Sequence, residues 1–103
     1  MKWDDMEETP YRASQLCRVL GNPKAYQILL VLRQEGPSIP SLLARRVNRH
    51  VATVCKTLKT LREVHLVRYQ RAGTNALYKV KFSGVGKVMD ELEWLVGRIR
   101  RQT

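Results

Sequence analysis

The chain is poor in acidic residues. Nine Asp and Glu stand against nineteen Lys and Arg, which gives a formal net charge of +10 over 103 residues. The few acids are also unevenly placed, because residues 1–10 sum to −3 and leave +13 on the remainder. An excess of this size indicates a polyanionic partner, and nucleic acid is the obvious candidate.

Cysteines and long apolar runs are equally scarce. Cys17 and Cys55 lie 38 positions apart and no Cys-x-x-Cys is present. The two cysteines therefore form neither a disulfide framework nor the cysteine pair that supplies half the ligands of a usual zinc site. The longest apolar runs, such as Ile28–Leu32, are far too short to span a membrane. Met1–Glu8 is acidic, unlike the basic-then-apolar pattern of a secretory leader. We therefore expect a soluble, cytoplasmic protein with no membrane partner.

Combinations of residues that support catalysis are missing as well. The two histidines, two cysteines and nine acids show no paired nucleophile and base, no glycine-rich phosphate loop and no metal-ligand cluster. The sequence therefore predicts a protein that is not an enzyme and has no cofactor. Cys17 lies among apolar residues and Cys55 at the margin of an apolar stripe, so we expect small buried side chains rather than redox sensors.

The hydrophobic fraction, 44%, supplies one small core and predicts a single domain over residues 1–103, with residues 1–9 as an acidic tail. Thr9-Pro10 and Asn22-Pro23 each place a capping side chain before a proline at the first helical position. Ser38 is expected to cap a third helix. Apolar spacings of three and four predict these helices over residues 10–20, 23–34 and 38–47.

A fourth predicted helix, Arg49–Val64, combines an apolar stripe with a cationic outer face. At about 100° per residue, four side chains share one stripe and are expected to be buried: Val51, Val54, Leu58 and Leu61. The opposite half is small, polar and positively charged, and it carries Arg49, Ala52, Thr53, Lys56, Lys59 and Thr60. Such a surface suits insertion into a groove of duplex nucleic acid.

Two segments after this helix change to alternating polarity. Leu66–Arg71 and Ala76–Phe82 have the period-two pattern of strands, and the Ala-Gly-Thr-Asn between them predicts a hairpin turn. From Arg45 to Lys81 the chain carries ten Lys or Arg against a single acid, so this part alone contributes +9. A last helix is predicted over residues 84–101, where apolar residues recur at spacings of three and four.

Three helices, two of them joined by a short turn, followed by a basic hairpin make a winged helix-turn-helix. Three segments resemble ArsR-type repressors: LCRVLGNPKAYQILLVL at residues 16–32, TVCKTLKTLREVHLV at 53–67 and RAGTNALYKV at 71–80. The resemblance covers residues 13–82. It implies a DNA-binding regulator with a mainly α fold and a small β-hairpin (α+β), in which the first and last helices pair two subunits.

The chain departs from the family pattern in two places. Where the family has Gly after the recognition helix, this chain has His65, for which a left-handed backbone is less costly than for most residues. Metal sensors of the family use ligands on the third or the last helix. Here the third helix has no Cys or His, and the last helix offers only Asp90, Glu91 and Glu93. We therefore expect no metal site.

Candidate DNA contacts follow from the way helix-turn-helix proteins dock. A recognition helix contacts bases chiefly through its N-terminal residues, here Arg49, His50, Ala52, Thr53 and Lys56. A methyl group of Ala52 or Thr53 would touch a thymine methyl. Phosphate contacts are expected from Arg45, Arg46, Lys59 and Thr60. The wing residues expected to reach the backbone or the minor groove are Arg68, Arg71, Thr74, Asn75 and Lys79.

The apolar face of the last helix, which includes Met89 and Trp94, is broader than a small core needs and favours a homodimer. A two-fold dimer would place its recognition helices about 34 Å apart, one turn of DNA. The leading interpretation is a sequence-specific regulator that binds double-stranded DNA and represses by occupying a promoter at the nucleoid. Two alternatives stay open: a nucleoid-organising protein that coats DNA without sequence preference, and a winged-helix adaptor that binds RNA or protein.

Overall fold

The protein was analysed as a computed structural model that describes residues 6–102. Five helices and one antiparallel hairpin follow each other along the chain. The helices are α1 (Glu8–Leu20), α2 (Pro23–Glu35), α3 (Pro40–Val47), α4 (Val51–Glu63) and α5 (Gly84–Gln102), and the strands are β1 (Val67–Ala72) and β2 (Asn75–Val80). This order confirms the predicted winged helix-turn-helix, with α3 and α4 as the helix-turn-helix and β1–β2 as the wing.

The start of α2 agrees with its sequence signal, whereas the start of α1 does not. The Asn22 side chain accepts a hydrogen bond of 2.9 Å from the backbone N–H of Lys24, with Pro23 at the first helical position. The prediction that Thr9 caps α1 was wrong, because the helix already begins at Glu8 and makes no side-chain cap. Of the predicted acidic tail, residues 1–5 lie outside the described part of the chain, and Glu8 and Thr9 are helical.

Ser38 has a different role from the predicted cap of α3. The N-cap of α3 is Ile39, with Pro40 as the first helical residue and no side-chain cap. The backbone of Ser38 instead pairs with Tyr78 of β2, through N–H···O contacts of 2.9 and 2.8 Å. Because this pairing holds Ser38 beside β2, the chain enters α3 one residue later than predicted.

The turn between α3 and α4 is made by a left-handed residue. Asn48 has a φ of 53°, and the N–H of Arg49 bonds the carbonyl of Ala44 at 3.0 Å. These contacts keep Arg49 outside the helix, so α4 begins at Val51 with His50 as its N-cap, rather than at Arg49 as predicted. The turn sets the angle at which α4 leaves α3 and therefore the direction of its outer face.

The core lies between α2, α3 and α4 and closes against the base of the wing. Leu58 and Leu61 of α4, with Leu29 of α2 and Leu43 of α3, are inaccessible to solvent. Burial of each such side chain stabilises the fold by about 1.5–3 kcal/mol. These contacts fix the rotation of α4 about its own axis, which decides which of its residues face outward.

The wing pairs Val67 with Val80 and Ala72 with Asn75, leaving Gly73 and Thr74 as the two-residue turn. Gly73 has a φ of 65°, a left-handed conformation that glycine adopts without a steric cost. The strands end earlier than predicted on the β2 side. Phe82 is exposed rather than part of the sheet, because its carbonyl accepts the N–H of Val85 at 3.1 Å as the chain turns into α5.

The first turns of α5 are anchored to α2. Met89 is fully buried, which corrects the expectation that it lies on the free apolar face of this helix. The Tyr26 hydroxyl donates to Glu93 at 2.7 Å, and burial together with this bond raises the pKa of Tyr26 to about 12. Arg33 pairs with Asp90 at 3.1 Å and crosses Gly86 so closely that a Cβ there would lie 2.7 Å from its Nε.

His65 adopts the left-handed backbone that its place after α4 requires. Its φ is 64°, which confirms the conformation expected where ArsR-type proteins have Gly. Its N–H bonds the carbonyl of Arg62 at 3.0 Å, and its Nδ1 lies 3.3 Å from the Lys81 Nζ. The left-handed region costs a non-glycine residue about 1–2 kcal/mol.

His65→Gly is therefore expected to be more stable than His65→Ala by about 1 kcal/mol, since both variants lose the imidazole and only glycine relieves the backbone. The difference is read from the thermal midpoints of both proteins at one concentration. Equal midpoints, or a more stable alanine variant, would contradict the conformational account of this turn.

Candidate nucleic-acid interface

The outer side of α4 is open to solvent and mostly cationic. Val54, Leu58 and Leu61 face the core, and Lys56 and Lys59 project away from it. Neither lysine has an acidic partner within residues 6–102. Ala52 and Thr60 are also exposed, whereas Thr53, predicted on the same outer face, is half-buried on the flank toward α2.

Val51 does not belong to the buried stripe, and the prediction that it does was wrong. It is 47% exposed, although it lies at helical spacing from Val54 and Leu58. The reason is its place in the first turn of α4, ahead of the part of the helix that packs on α2 and α3. Periodicity alone did not reveal this, because it does not show where a neighbouring element ends. The start of the helix thus presents an apolar side chain beside Ala52.

Both cysteines are exposed, which corrects the expectation of small buried side chains. Cys55 lies one turn after Val51 and is close in rotation to Ala52 and Lys59 on the outer side of α4. The exposed face of the helix therefore has an apolar edge, Val51, Ala52 and Cys55, next to its two lysines.

Two of the predicted DNA-contacting arginines are tied to α2. The guanidinium Nε of Arg46 lies 2.9 Å from each carboxylate oxygen of Glu35. This hydrogen bond and the charge of Arg46 hold the pKa of Glu35 below its usual value. Arg49 donates to the Gln27 side-chain oxygen at 3.2 Å. Arg45, in the last turn of α3, is exposed and has no acidic partner in the described chain.

His50 is exposed at the N-cap of α4 and makes no side-chain cap hydrogen bond. Its carbonyl accepts the N–H of Val54 at 3.1 Å, so the backbone closes the first turn while the imidazole stays outside the helix. The side chain is thus placed at the leading end of α4.

The wing separates its cations onto two faces. Antiparallel register places Arg68 opposite Lys79, on the face away from the core. Arg71 shares the other face with Tyr69 and Tyr78, whose rings are 5.3 Å apart. The Arg62 guanidinium lies 5.0 Å from the centre of the Tyr69 ring, so this second face is turned toward α4. Arg71 therefore lies on the face of the wing that is turned toward α4, whereas Arg68 and Lys79 lie on the opposite face.

The tip of the wing consists of exposed Gly73, Thr74 and Asn75. Asn75 is the first residue of β2 and pairs with Ala72, so the turn leaves both polar side chains at the outer end of the hairpin.

Across residues 6–102, no three His, Cys, Asp or Glu side chains are grouped closely enough to hold a metal ion. No helix in that part of the chain is long and apolar enough to cross a membrane.

Solved structures with this fold include several transcription regulators. The homodimeric winged helix-turn-helix DNA-binding domain of a possible ArsR-family regulator from Mycobacterium bovis is 18% identical, with 99% of this chain and 96% of that chain covered and a TM-score of 0.82. NolR from Sinorhizobium fredii is 23% identical over 94% of this chain and 98% of its own, with a TM-score of 0.78. HlyU from Vibrio cholerae is 22% identical over 87% and 97%, with a TM-score of 0.77.

These likenesses confirm the winged helix-turn-helix fold and its resemblance to ArsR-type structures. No curated protein matched this chain in sequence. A family model, HVO_A0114, matches residues 20–86, from the end of α1 through the wing to the first turn of α5. That match includes the helix-turn-helix and the hairpin, and the chain belongs to the HVO_A0114 family.

Proposed function

We propose that this protein is a homodimeric regulator of transcription that binds a specific site in double-stranded DNA and represses by occupying a promoter. It would act in the cytoplasm, at the nucleoid, without a cofactor and without catalysing a reaction. The observation that carries the proposal is the outer face of α4, where Lys56 and Lys59 have no acidic partner in the described chain and lie beside small, exposed side chains.

Phosphate neutralisation would supply most of the affinity. Each Lys or Arg that meets a phosphate releases condensed counterions, so affinity falls steeply as the salt concentration rises. Lys59, Arg45 and Arg71 are exposed and would serve this role. Arg68 and Lys79, on the far face of the wing, would contact a phosphate only where the duplex curves around the hairpin.

Base recognition would come from the first two turns of α4 in the major groove. His50 and Lys56 offer hydrogen bonds to base edges, and Lys commonly binds the O6 and N7 acceptors of guanine. Val51 and Ala52 offer methyl groups for the thymine methyl. Arg49 is available once its single bond to Gln27 is exchanged for a base or a phosphate.

The apolar stripe of α5 supports a homodimer. Val88, Leu92, Leu95 and Ile99 recur at spacings of four, three and four, and they are 40% to 59% exposed. This is the pattern of one seam between paired helices. No side chain of α1 is fully buried, so α1 also has surface to share with a second subunit. The Mycobacterium bovis neighbour is itself a homodimer.

The function is tested by competition binding at fixed salt between genomic fragments and bulk DNA. A regulator is expected to prefer some fragment by at least ~10³-fold. A flat profile would favour the DNA-coating protein instead. If the protein binds RNA or another protein but binds no duplex DNA, the adaptor function is favoured.

Base contact and phosphate contact are separable by substitution. Lys56→Ala is expected to relax base preference, with a cost of about 1–3 kcal/mol on the preferred site. Arg71→Ala is expected to weaken binding to all duplexes alike. It is also expected to lower the salt slope, which is the slope of log affinity against log salt concentration, by about 1 for each subunit. The measurement is a set of binding isotherms on the preferred and a scrambled duplex. Loss of base preference in the Arg71 variant alone would reverse the assigned roles.

The dimer is tested by introducing charged side chains into the apolar stripe of α5. Leu92→Glu with Ile99→Glu is expected to convert the protein to monomers and to weaken binding to a two-half-site duplex by at least tenfold, because charged side chains cannot be buried unpaired in the seam. Phe82→Glu changes an equally exposed apolar residue outside α5 and serves as the control. Molar mass in solution is measured by sedimentation. A dimeric stripe variant would exclude α5 as the interface.

Glu35 is expected to weaken DNA binding by holding Arg46. In Glu35→Gln the amide cannot retain the guanidinium as an ion pair, so Arg46 becomes available to a phosphate and the salt slope steepens by up to about 1 per subunit. Glu91→Gln makes the same charge change on α5, where Glu91 is exposed, and is the control. Equal slopes for the two variants would show that Arg46 does not reach DNA.

A further inference from the structure

We propose that a groove between α4 and the junction of α1 with α2 binds a phosphate group of the same duplex, outside the contacts of the helix-turn-helix and the wing. The ligand class is the phosphodiester of a DNA strand. This inference rests on the proposed function, because it assigns a further part of the DNA-binding surface. It places Arg18 and Lys24, which lie far before the cationic segment in sequence, next to Lys56 of the recognition helix.

The groove is lined by cations from three helices. It encloses about 500 Å³, and its lining includes Arg18 from the last turn of α1, Lys24 from the first turn of α2 and Lys56 from α4. No acidic residue lines it. Convergence of three positive charges without a counter-charge is unfavourable in the free protein, so an anion that enters the groove relieves this repulsion as well as making its own contacts.

Two hydroxyl groups in the walls of the groove are already engaged within α4, which leaves Arg18 and Lys24 as the groups that would hold the phosphate. The Thr57 hydroxyl donates to the carbonyl of Thr53 at 2.9 Å, and the Thr60 hydroxyl to that of Lys56 at 3.4 Å. The floor includes the apolar side chains of Val19 and Ala25. A site of this kind binds a charged group such as a backbone phosphate without requiring a close fit in shape. It is less suited to a polar small molecule that needs several neutral hydrogen bonds.

The position of the groove favours the duplex as the source of the phosphate. Thr53, Lys56 and Thr60 form one of its walls, so it runs along the flank of the helix that enters the major groove. In helix-turn-helix complexes the recognition helix lies in the major groove, so the two backbones that border that groove run along the flanks of the helix. A strand that borders the occupied major groove would therefore pass over Arg18 and Lys24.

The test compares Arg18→Ala with Lys24→Ala against a control with the same loss of charge, Lys87→Ala with Arg101→Ala, on the side of α5 opposite its apolar stripe. The groove variant is expected to lower the slope of log affinity against log salt by about 1 per subunit, because each groove holds one phosphate, with the order of preference among duplexes unchanged. The control is expected to retain the parent slope. Circular dichroism and the thermal midpoint establish that both variants fold.

Three outcomes would overturn the proposal. The first is a groove variant that binds duplexes with the slope of the control. The second is a groove variant that keeps its affinity for scrambled DNA and loses only base preference. The third is a groove that binds inorganic phosphate, seen as chemical-shift changes at Arg18 and Lys24, while the salt slope on DNA is unchanged, which would make it a site for a free anion. A parent protein that binds no duplex would instead refute the proposed function.

Discussion

The burial of Val54, Leu58 and Leu61 is the constraint on which the remaining features depend. These side chains are inaccessible to solvent, so α4 cannot rotate without losing several kcal/mol of apolar burial. With the rotation fixed, Ala52, Cys55 and the two lysines can only face outward. The left-handed turn at Asn48 and the one at His65 fix the two ends of the helix, so both its direction and its exposed face follow from packing.

Electrostatic repulsion among the cations of that exposed face is the basis of the function proposed for it. The cations around α4 are mostly unpaired, and the exceptions are informative. Glu35 of α2 pairs with Arg46, and Arg49 donates one hydrogen bond to the uncharged side chain of Gln27. The free protein therefore keeps some of its positive charge compensated near the turn and leaves it uncompensated along α4 and at Arg71. In the proposed complex, a polyanion would relieve the uncompensated part first and so orient the duplex before base contacts form.

Local signals predicted the elements of the fold, and contacts between distant residues decided where prediction failed. Asn22-Pro23 marked the start of α2 because its cap and proline act within one turn. The prediction that Ser38 caps α3 was wrong because its backbone pairs with that of Tyr78, 40 positions later. The prediction that Val51 is buried was wrong because periodicity cannot show where the neighbouring helices end. The split of Arg68 and Arg71 between two faces follows from alternation within β1, but the sequence does not show which face is turned toward α4, because that depends on the contact of Arg62 with Tyr69.

The central claim is that the outer face of α4 recognises a specific duplex sequence in a two-fold dimer. Selection of bound sequences from random duplexes tests this most directly, because it reports binding, base preference and symmetry together. The account predicts enrichment of a pseudo-palindrome with half-sites centred about 10 base pairs apart. Recovery of sequences without a shared motif, although the protein binds them, would contradict it.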